Sequence, residues 1–131
     1  MPKLLFLLAL LTIDQLTKYF TPSTICNPYI SWSIPLHGIF LWILIIASLF
    51  LLIYTLKKNA FSYPLLLIAA GAIGNIIDRL HSGCVIDFIS ISTIPLIDKI
   101  SFLVTFPTFN LADTFITLGA ILFLWQEFKK R

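Results

Sequence analysis

The hydrophobic residues of this chain are grouped into four long stretches, at about residues 3–20, 38–56, 61–80 and 109–128. Each is near the ~20 residues that an α-helix needs to cross a bilayer. Their continuous apolar character differs from the alternating segments of about ten residues in a transmembrane barrel. The first stretch has no small-x-small cleavage site, so we interpret it as a retained helix and not as a signal peptide. The pattern predicts an all-α membrane protein with four transmembrane helices in one integral membrane domain, residues 1–131.

The segment between the third and fourth stretches, residues 85–106, has a different pattern. Residues 88–94 alternate between apolar and hydroxyl side chains, Pro95 is a turn signal, and residues 100–106 are rich in strand formers. Open strand edges cannot lie in hydrocarbon. We therefore expect a small extracytoplasmic β-like flap between helices 3 and 4.

Composition and charge agree with a membrane location and give an orientation. Hydrophobic residues make up 59% of the chain and charged residues 11%, with a mean hydropathy of +0.98. Lys3, the Lys57-Lys58 pair and the basic residues at 129–131 fall on one side of a four-helix path, which predicts that both termini are cytoplasmic. The net charge of +3 is then a signal of topology. It fits an anionic lipid surface and does not call for nucleic acid.

The two cysteines and two histidines have no motif spacing. Cys26 and Cys84 fall in segments predicted to be external, where an oxidising compartment would permit a disulfide, although isolated cysteines are more often free apolar residues. His37 and His81 have no second ligand at helical spacing. The sequence therefore predicts no metal site and no cofactor, and it leaves the pairing of the cysteines open.

Charged residues near hydrocarbon need partners or water, because an isolated ionised group there is costly. Asp14 and Lys18 are four residues apart in the first helix, so they share a face and are expected to pair. The ion pair would anchor the helix end, and this structural role is at least as good an explanation of the two residues as a chemical one.

Helix 3 carries small residues followed by a polar cluster at its outer end. Gly71 and Gly74 permit close helix approach. Asn75, Asp78 and Arg79 are spaced to project together from the outer turn toward the flap. The guanidinium of Arg79 is suited to carbonyls, carboxylates or phosphates.

Two further acids, Asp87 and Asp113, reach the external interface from different elements. Asp87 follows the end of helix 3, and Asp113 lies in the first turn of helix 4, for which Asn110 is a predicted cap. A carboxyl pair that shares one proton is the arrangement with which aspartic proteases activate water and protonate a leaving amine. Acids at helix ends also serve as caps, counter-ions and proton relays, so spacing alone leaves hydrolysis as one of several functions.

In their order along the chain these residues resemble the lipoprotein signal peptidases, also called signal peptidase II. The resemblance covers nearly the whole sequence. The motifs that carry it are Asp14-x-x-x-Lys18, Gly74-Asn75-x-x-Asp78-Arg79, Val85-x-Asp87-Phe88 and Phe106-Pro107-x-Phe109-Asn110-Leu111-Ala112-Asp113.

The resemblance implies a bacterial inner-membrane aspartic endopeptidase that cuts prolipoproteins just before a diacylglyceryl-modified cysteine. It implies that Asp87 and Asp113 are catalytic. The other residues that it assigns to the site are the substrate-binding Asn75, Arg79, Asn110 and Asn27 and the supporting Asp14, Lys18, Asp78 and Gly74. It also implies that the flap and the first external loop close over the substrate. The expected partners are the prolipoprotein and membrane lipids, and the expected state is a monomer.

The first external loop departs from the family pattern. The family usually has Asn-x-Gly-x-x-Phe-Ser, whereas residues 27–33 here read Asn-Pro-Tyr-Ile-Ser-Trp-Ser. Tyr29 does not adopt a positive φ as easily as glycine. The loop that carries Asn27 is therefore expected to follow a different path.

Two other functional classes compete with the peptidase. A small four-helix transporter would use Asp14 as a membrane-embedded proton or cation site. A structural subunit would explain the glycine-rich face of helix 3 but not the placement of Asp87 and Asp113. The gathering of acids at one interface and the ready partner of Asp14 favour the peptidase.

Overall fold

The computed structural model describes residues 2–21, 25–29, 38–58, 62–91 and 106–130, and this part of the chain is mainly helical. Its elements are helices α1 (Pro2–Phe20), α2 (Gly38–Lys58), α3 (Tyr63–Ser82) and α4 (Leu111–Lys129) and strands β1 (Ile25–Asn27) and β2 (Val85–Asp87). By length and composition, α3 and α4 are the described helices that could cross a membrane. The prediction of a mostly helical chain with a small amount of strand is confirmed.

Large apolar side chains are exposed on all four of these helices. Leu5, Phe40, Leu80 and Phe128 are 64–73% exposed on α1, α2, α3 and α4. A soluble fold rarely leaves so much contiguous apolar surface in water. The outer surface of the helices therefore suits a hydrocarbon environment.

Helix α3 is the central element, since it packs against α4 along its length and against α1. Glycine permits the close approach: a Cβ atom at Gly71 would overlap the carbonyl oxygen of Ala112 on α4, and one at Gly119 would lie 2.6 Å from the carbonyl oxygen of Pro64. Gly74 lies against Asp14 of α1 in the same way. The predicted small-residue face of this helix is thus a packing face for two neighbours.

Two short backbone pairings join the segments outside the helices. Gly83 ends α3 in a left-handed conformation, φ 77°, and donates its N–H to the carbonyl of Arg79, so the chain turns directly into β2. Strand β2 pairs antiparallel with β1, with Ile25 opposite Asp87. An isolated antiparallel bridge joins Ile89 to Phe109. The segments that follow α3 and precede α4 therefore lie side by side.

The predicted flap is only partly within the described residues. Val85–Asp87 is extended as expected, and it pairs with β1 from the first external segment. Residues 92–105 lie outside the described part of the chain, and so do residues 30–37 with His37.

A disulfide joins Cys26 of β1 to Cys84, just before β2, with a Cα–Cα distance of 5.5 Å. The sequence left this pairing open because the two cysteines, 58 positions apart, have no motif spacing. Only the strand register, which places Cys26 opposite Ile86, brings the two thiols together. The bond therefore fixes the first external segment to the end of α3.

We predict that replacing both cysteines, Cys26→Ser with Cys84→Ser, lowers the free energy of unfolding. The closure of a loop of this length by a disulfide contributes about 4 kcal/mol in the chain-entropy description. Thermal unfolding in detergent measures the change. A reducing agent should lower the melting temperature of the wild type and leave that of the double variant unchanged. Equal melting temperatures for the oxidised and reduced wild type would contradict the prediction.

Candidate functional site

Asp87 lies at the end of β2 with a buried carboxyl group, 1% exposed. The side-chain amide of Asn27 donates to its Oδ2 at 2.7 Å. The side-chain amide of Asn110 donates to its Oδ1 at 2.8 Å. Each carboxyl oxygen is thus held by an amide from a different part of the chain.

Burial raises the pKa of Asp87 from its ordinary value of 3.8 to about 6, since the desolvated carboxylate is disfavoured. The nearby Asp113 contributes to this rise in the pKa, whereas the amides of Asn27 and Asn110 and the charge of Lys18 oppose it. Desolvation is the largest of these effects. Asp87 therefore holds a proton at a higher pH than an ordinary aspartate does.

Asp113 lies in the first turn of α4 and is 2% exposed. Asn110 adopts the extended N-cap conformation, and its side-chain oxygen accepts the backbone N–H of Asp113 at 2.9 Å. The predicted cap is confirmed. The Oδ1 atom of Asp113 accepts a hydrogen bond of 2.9 Å from the side-chain amide of Asn75 on α3.

The amides of Asn75 and Asn110 connect the two acids. Besides its bond to Asp87, the Nδ2 atom of Asn110 lies 3.2 Å from Oδ1 of Asn75 and 3.2 Å from the carbonyl of Ile86. A continuous hydrogen-bonded chain therefore runs from Asp87 through Asn110 and Asn75 to Asp113. The structure brings together the two acids that the sequence analysis singled out, in a setting that restricts their relative movement.

Behind this chain lies a buried ion cluster formed by Asp14, Lys18 and Asp78. Lys18 Nζ is 2.9 Å from Asp14 Oδ2, so the predicted pair is confirmed. It is also 2.7 Å from Asp78 Oδ2. The sequence analysis directed Asp78 toward the flap, and its Oδ2 atom does accept the backbone N–H of Ile86 in that segment at 3.2 Å. The sequence analysis missed a second contact: because α1 packs on α3, Asp78 also faces the ammonium group of Lys18.

Arg79 and Asn27 organise the first external segment. Arg79 donates from Nη2 to the carbonyl of Tyr29 at 2.7 Å and from Nη1 to the carbonyl of Asn75 at 3.1 Å. Its Nε is buried and has no hydrogen-bond partner among the described residues. Asn27 Oδ1 accepts the backbone N–H of Tyr29 at 2.9 Å. Tyr29, which stands where the family pattern has glycine, is thus held through its backbone on both sides.

The sequence analysis missed one polar contributor, Gln15. Its side-chain amide donates to Asp14 Oδ2 and to Asp78 Oδ1, both at 3.1 Å. An amide next to Asp14 in an otherwise apolar helix is the signal that could have identified it.

The sequence and the fold of this chain are similar to those of known proteins. The family model described as signal peptidase (SPase) II matches residues 6–129 of the chain. The lipoprotein signal peptidase of Janthinobacterium sp. (strain Marseille) is 39% identical over 95 residues, which are 70% of this chain and 53% of that protein. The lipoprotein signal peptidase of Thermodesulfovibrio yellowstonii is 40% identical over 95 residues, 71% of this chain and 58% of that protein. The chain spans about half the length of these curated relatives.

Two solved structures described as bacterial membrane enzymes have a similar fold. One, at 2.3 Å resolution, has a TM-score of 0.75 and 31% identity and covers 98% of this chain and 88% of its own. The other, at 1.9 Å resolution, has a TM-score of 0.75 and 29% identity and covers 99% of this chain and 94% of its own.

We predict that the titration of Asp87 makes the free energy of unfolding decrease as the pH rises from about 4 to about 6. The folded chain binds the Asp87 proton more tightly than the unfolded chain does, and this difference stabilises the folded state. The stabilisation is fully present below pH 3.8 and is lost as the pH rises through about 6. A shift of this size corresponds to about 3 kcal/mol.

Asp87→Asn should remove this part of the slope, and Glu127→Gln, whose side chain is 44% exposed on α4, should keep it. Denaturation in detergent at several pH values gives the comparison. Parallel pH profiles for wild type and Asp87→Asn would contradict the prediction.

Proposed function

The chain belongs to the signal peptidase II family, and from this premise we propose that it is an aspartic endopeptidase whose catalytic pair is Asp87 and Asp113. The observation that carries the proposal is the continuous hydrogen-bonded chain between the two carboxyl groups through Asn110 and Asn75. A role as helix caps would not require two acids from different elements that are both almost fully buried and both hydrogen-bonded by side-chain amides.

In the proposed mechanism the pair holds one proton. The ionised member accepts a proton from a water molecule as that water attacks the carbonyl carbon of the scissile peptide bond. The protonated member donates to the developing oxyanion and later to the leaving amine. The roles belong to the pair, because coupled acids titrate together.

The substrate backbone would be held by the polar residues around the pair, namely Asn75, Arg79, Asn110 and Asn27. The buried Nε of Arg79, without a partner among the described residues, supports this role, because a buried donor without an acceptor costs about 1–3 kcal/mol. A substrate carbonyl would satisfy it. The flap and the first external loop are proposed to close over the bound peptide.

The proposed substrates are prolipoproteins that carry a diacylglyceryl-modified cysteine, and the product is the protein without its signal peptide. The name of the curated relatives, lipoprotein signal peptidase, supports this substrate class. The proposed location is the bacterial cytoplasmic membrane, with four spanning helices, cytoplasmic termini and a monomeric enzyme among lipids. The Cys26–Cys84 disulfide supports an active site on the oxidising, external side.

The transporter alternative receives less support from the geometry. A proton or cation site at Asp14 would need a carboxylate that is open to exchange. Asp14 is fully buried, pairs with Lys18 and accepts the backbone N–H of Ala112 at 2.9 Å. These contacts fit a fixed structural charge.

We predict that Asp87→Asn and Asp113→Asn each lower the turnover of a diacylglyceryl-modified prolipoprotein by about 10²–10⁴-fold, the usual contribution of a positioned acid or base. Purified protein and separation of cleaved from uncut substrate provide the measurement. Glu127→Gln should retain wild-type turnover.

Retained cleavage in both aspartate variants would exclude Asp87 and Asp113 as the catalytic pair. Proton-coupled flux in vesicles that disappears only on Asp14→Asn would favour the transporter instead.

A further inference from the structure

The ammonium group of Lys18 has a complete set of acceptors inside the protein. Its three N–H donors face Asp14 Oδ2 at 2.9 Å, Asp78 Oδ2 at 2.7 Å and Asn75 Oδ1 at 3.3 Å. The side chains of Lys18, Asp14 and Asp78 are 0–3% exposed. We call Asp14, Lys18 and Asp78 the lysine cluster.

The two acids of the lysine cluster also bind backbone, and they do so at equivalent places. Asp78 Oδ2 accepts the N–H of Ile86 at 3.2 Å, and Ile86 directly precedes Asp87. Asp14 Oδ1 accepts the N–H of Ala112 at 2.9 Å, and Ala112 directly precedes Asp113. One lysine therefore pairs with two carboxyl groups, and each of these accepts the backbone N–H of the residue before one member of the proposed catalytic pair.

These backbone contacts are suited to fixing position. Ala112 is in the first turn of α4, where N–H groups have no acceptor within the helix, so the carboxylate of Asp14 supplies one. Hydrogen bonds to an ionised acceptor are about twice as strong as those between neutral groups. A shift of the segment that carries Asp87 or Asp113 would break such a hydrogen bond and leave a buried donor without its acceptor.

The packing of α1 on α3 leaves space for this arrangement at Gly74. A Cβ atom at this position would lie 2.5 Å from Asp14 Oδ2. Any larger residue would push the carboxylate of Asp14 away from Lys18 or from the Ala112 N–H. Gly74 thus has a specific reason to be glycine in addition to general helix packing.

We propose that the lysine cluster is a positioning device for the catalytic pair, in which Asp78 sets the position of Asp87 and Asp14 sets the position of Asp113. The residues of the cluster do not touch the reacting atoms. They act through two backbone N–H groups and through Asn75. This inference rests on the proposed function for its catalytic consequence, but its structural part can be tested without any substrate.

The first experiment compares hydrogen–deuterium exchange in Asp14→Ala and Asp78→Ala of the 131-residue chain in detergent. Asp78→Ala should increase exchange in peptides that cover residues 85–88 and leave those covering 111–114 unchanged. Asp14→Ala should give the reverse pattern. Exchange that rises equally at both segments in each variant would overturn the proposal, since it would mean a general loss of packing.

The second experiment measures kcat and KM for prolipoprotein cleavage in the same variants. We expect kcat to fall about 10–100-fold, as small misplacements of catalytic groups do, while KM stays within about threefold. Asp14→Asn and Asp78→Asn keep an oxygen that can accept the N–H and should retain more activity than the alanine variants. Unchanged kcat in folded alanine variants would overturn the proposal. A loss of kcat that is fully explained by a smaller fraction of folded protein would overturn it as well.

A control variant and two fallback comparisons separate the outcomes. Glu127→Gln breaks the Lys130–Glu127 pair, 2.7 Å long and exposed, and should alter neither exchange nor kinetics. If the wild-type chain cleaves no prolipoprotein, the proposed function fails, and the exchange pattern alone still decides whether each acid holds its own backbone segment. If the alanine variants do not fold, the same two measurements on the asparagine variants decide between the outcomes.

Discussion

The need to compensate buried charge is the constraint on which the rest of this structure depends. Lys18 and its two carboxylates lie inside a helical protein whose outer surface is apolar, where removal of one member of a buried pair costs about 3–5 kcal/mol. Each charge is therefore tied to other buried groups: Asp14 to the start of α4 and Asp78 to β2. In this way the electrostatic requirement of three residues determines where the segments that carry Asp87 and Asp113 must lie.

Close helix packing makes this compensation possible. The short side chain of Asp78 on α3 can meet Lys18 of α1 only if the two helices are near each other. Gly74 permits that approach on one side of α3, and Gly71 permits the approach of α4 on another. Helix α3 is thus the common support for the lysine cluster, for Asn75 and for Arg79, and the small residues of one helix are a precondition for the polar site at its end.

The parts of this architecture that could be predicted are those governed by local spacing. The Asp14–Lys18 pair follows from an i, i+4 relation, the Asn110 cap from its place before an apolar run, and the helical segments from their length. The other features depend on register between distant segments. The Cys26–Cys84 bond requires the β1–β2 pairing, and the turn of Asp78 toward Lys18 requires the packing of α1 on α3. The pattern of residues within one segment does not determine these contacts between distant segments, because the same spacing allows a side chain to meet several different partners.

The first external segment shows how a departure from the family motif can be offset by contacts with other parts of the chain. The family motif that the sequence resembles has glycine at the position of Tyr29, and a turn that relies on backbone freedom is less accessible to tyrosine. The segment is instead fixed from outside: the disulfide secures Cys26, Arg79 holds the carbonyl of Tyr29, and Asn27 bonds both Tyr29 and Asp87. Asp87 is therefore restrained from the external side by this segment and from the helical side by the contact of Asp78 with Ile86. A carboxyl group restrained from two independent directions keeps its orientation even if the loop takes a different path, so the loss of the glycine is compatible with the same chemistry.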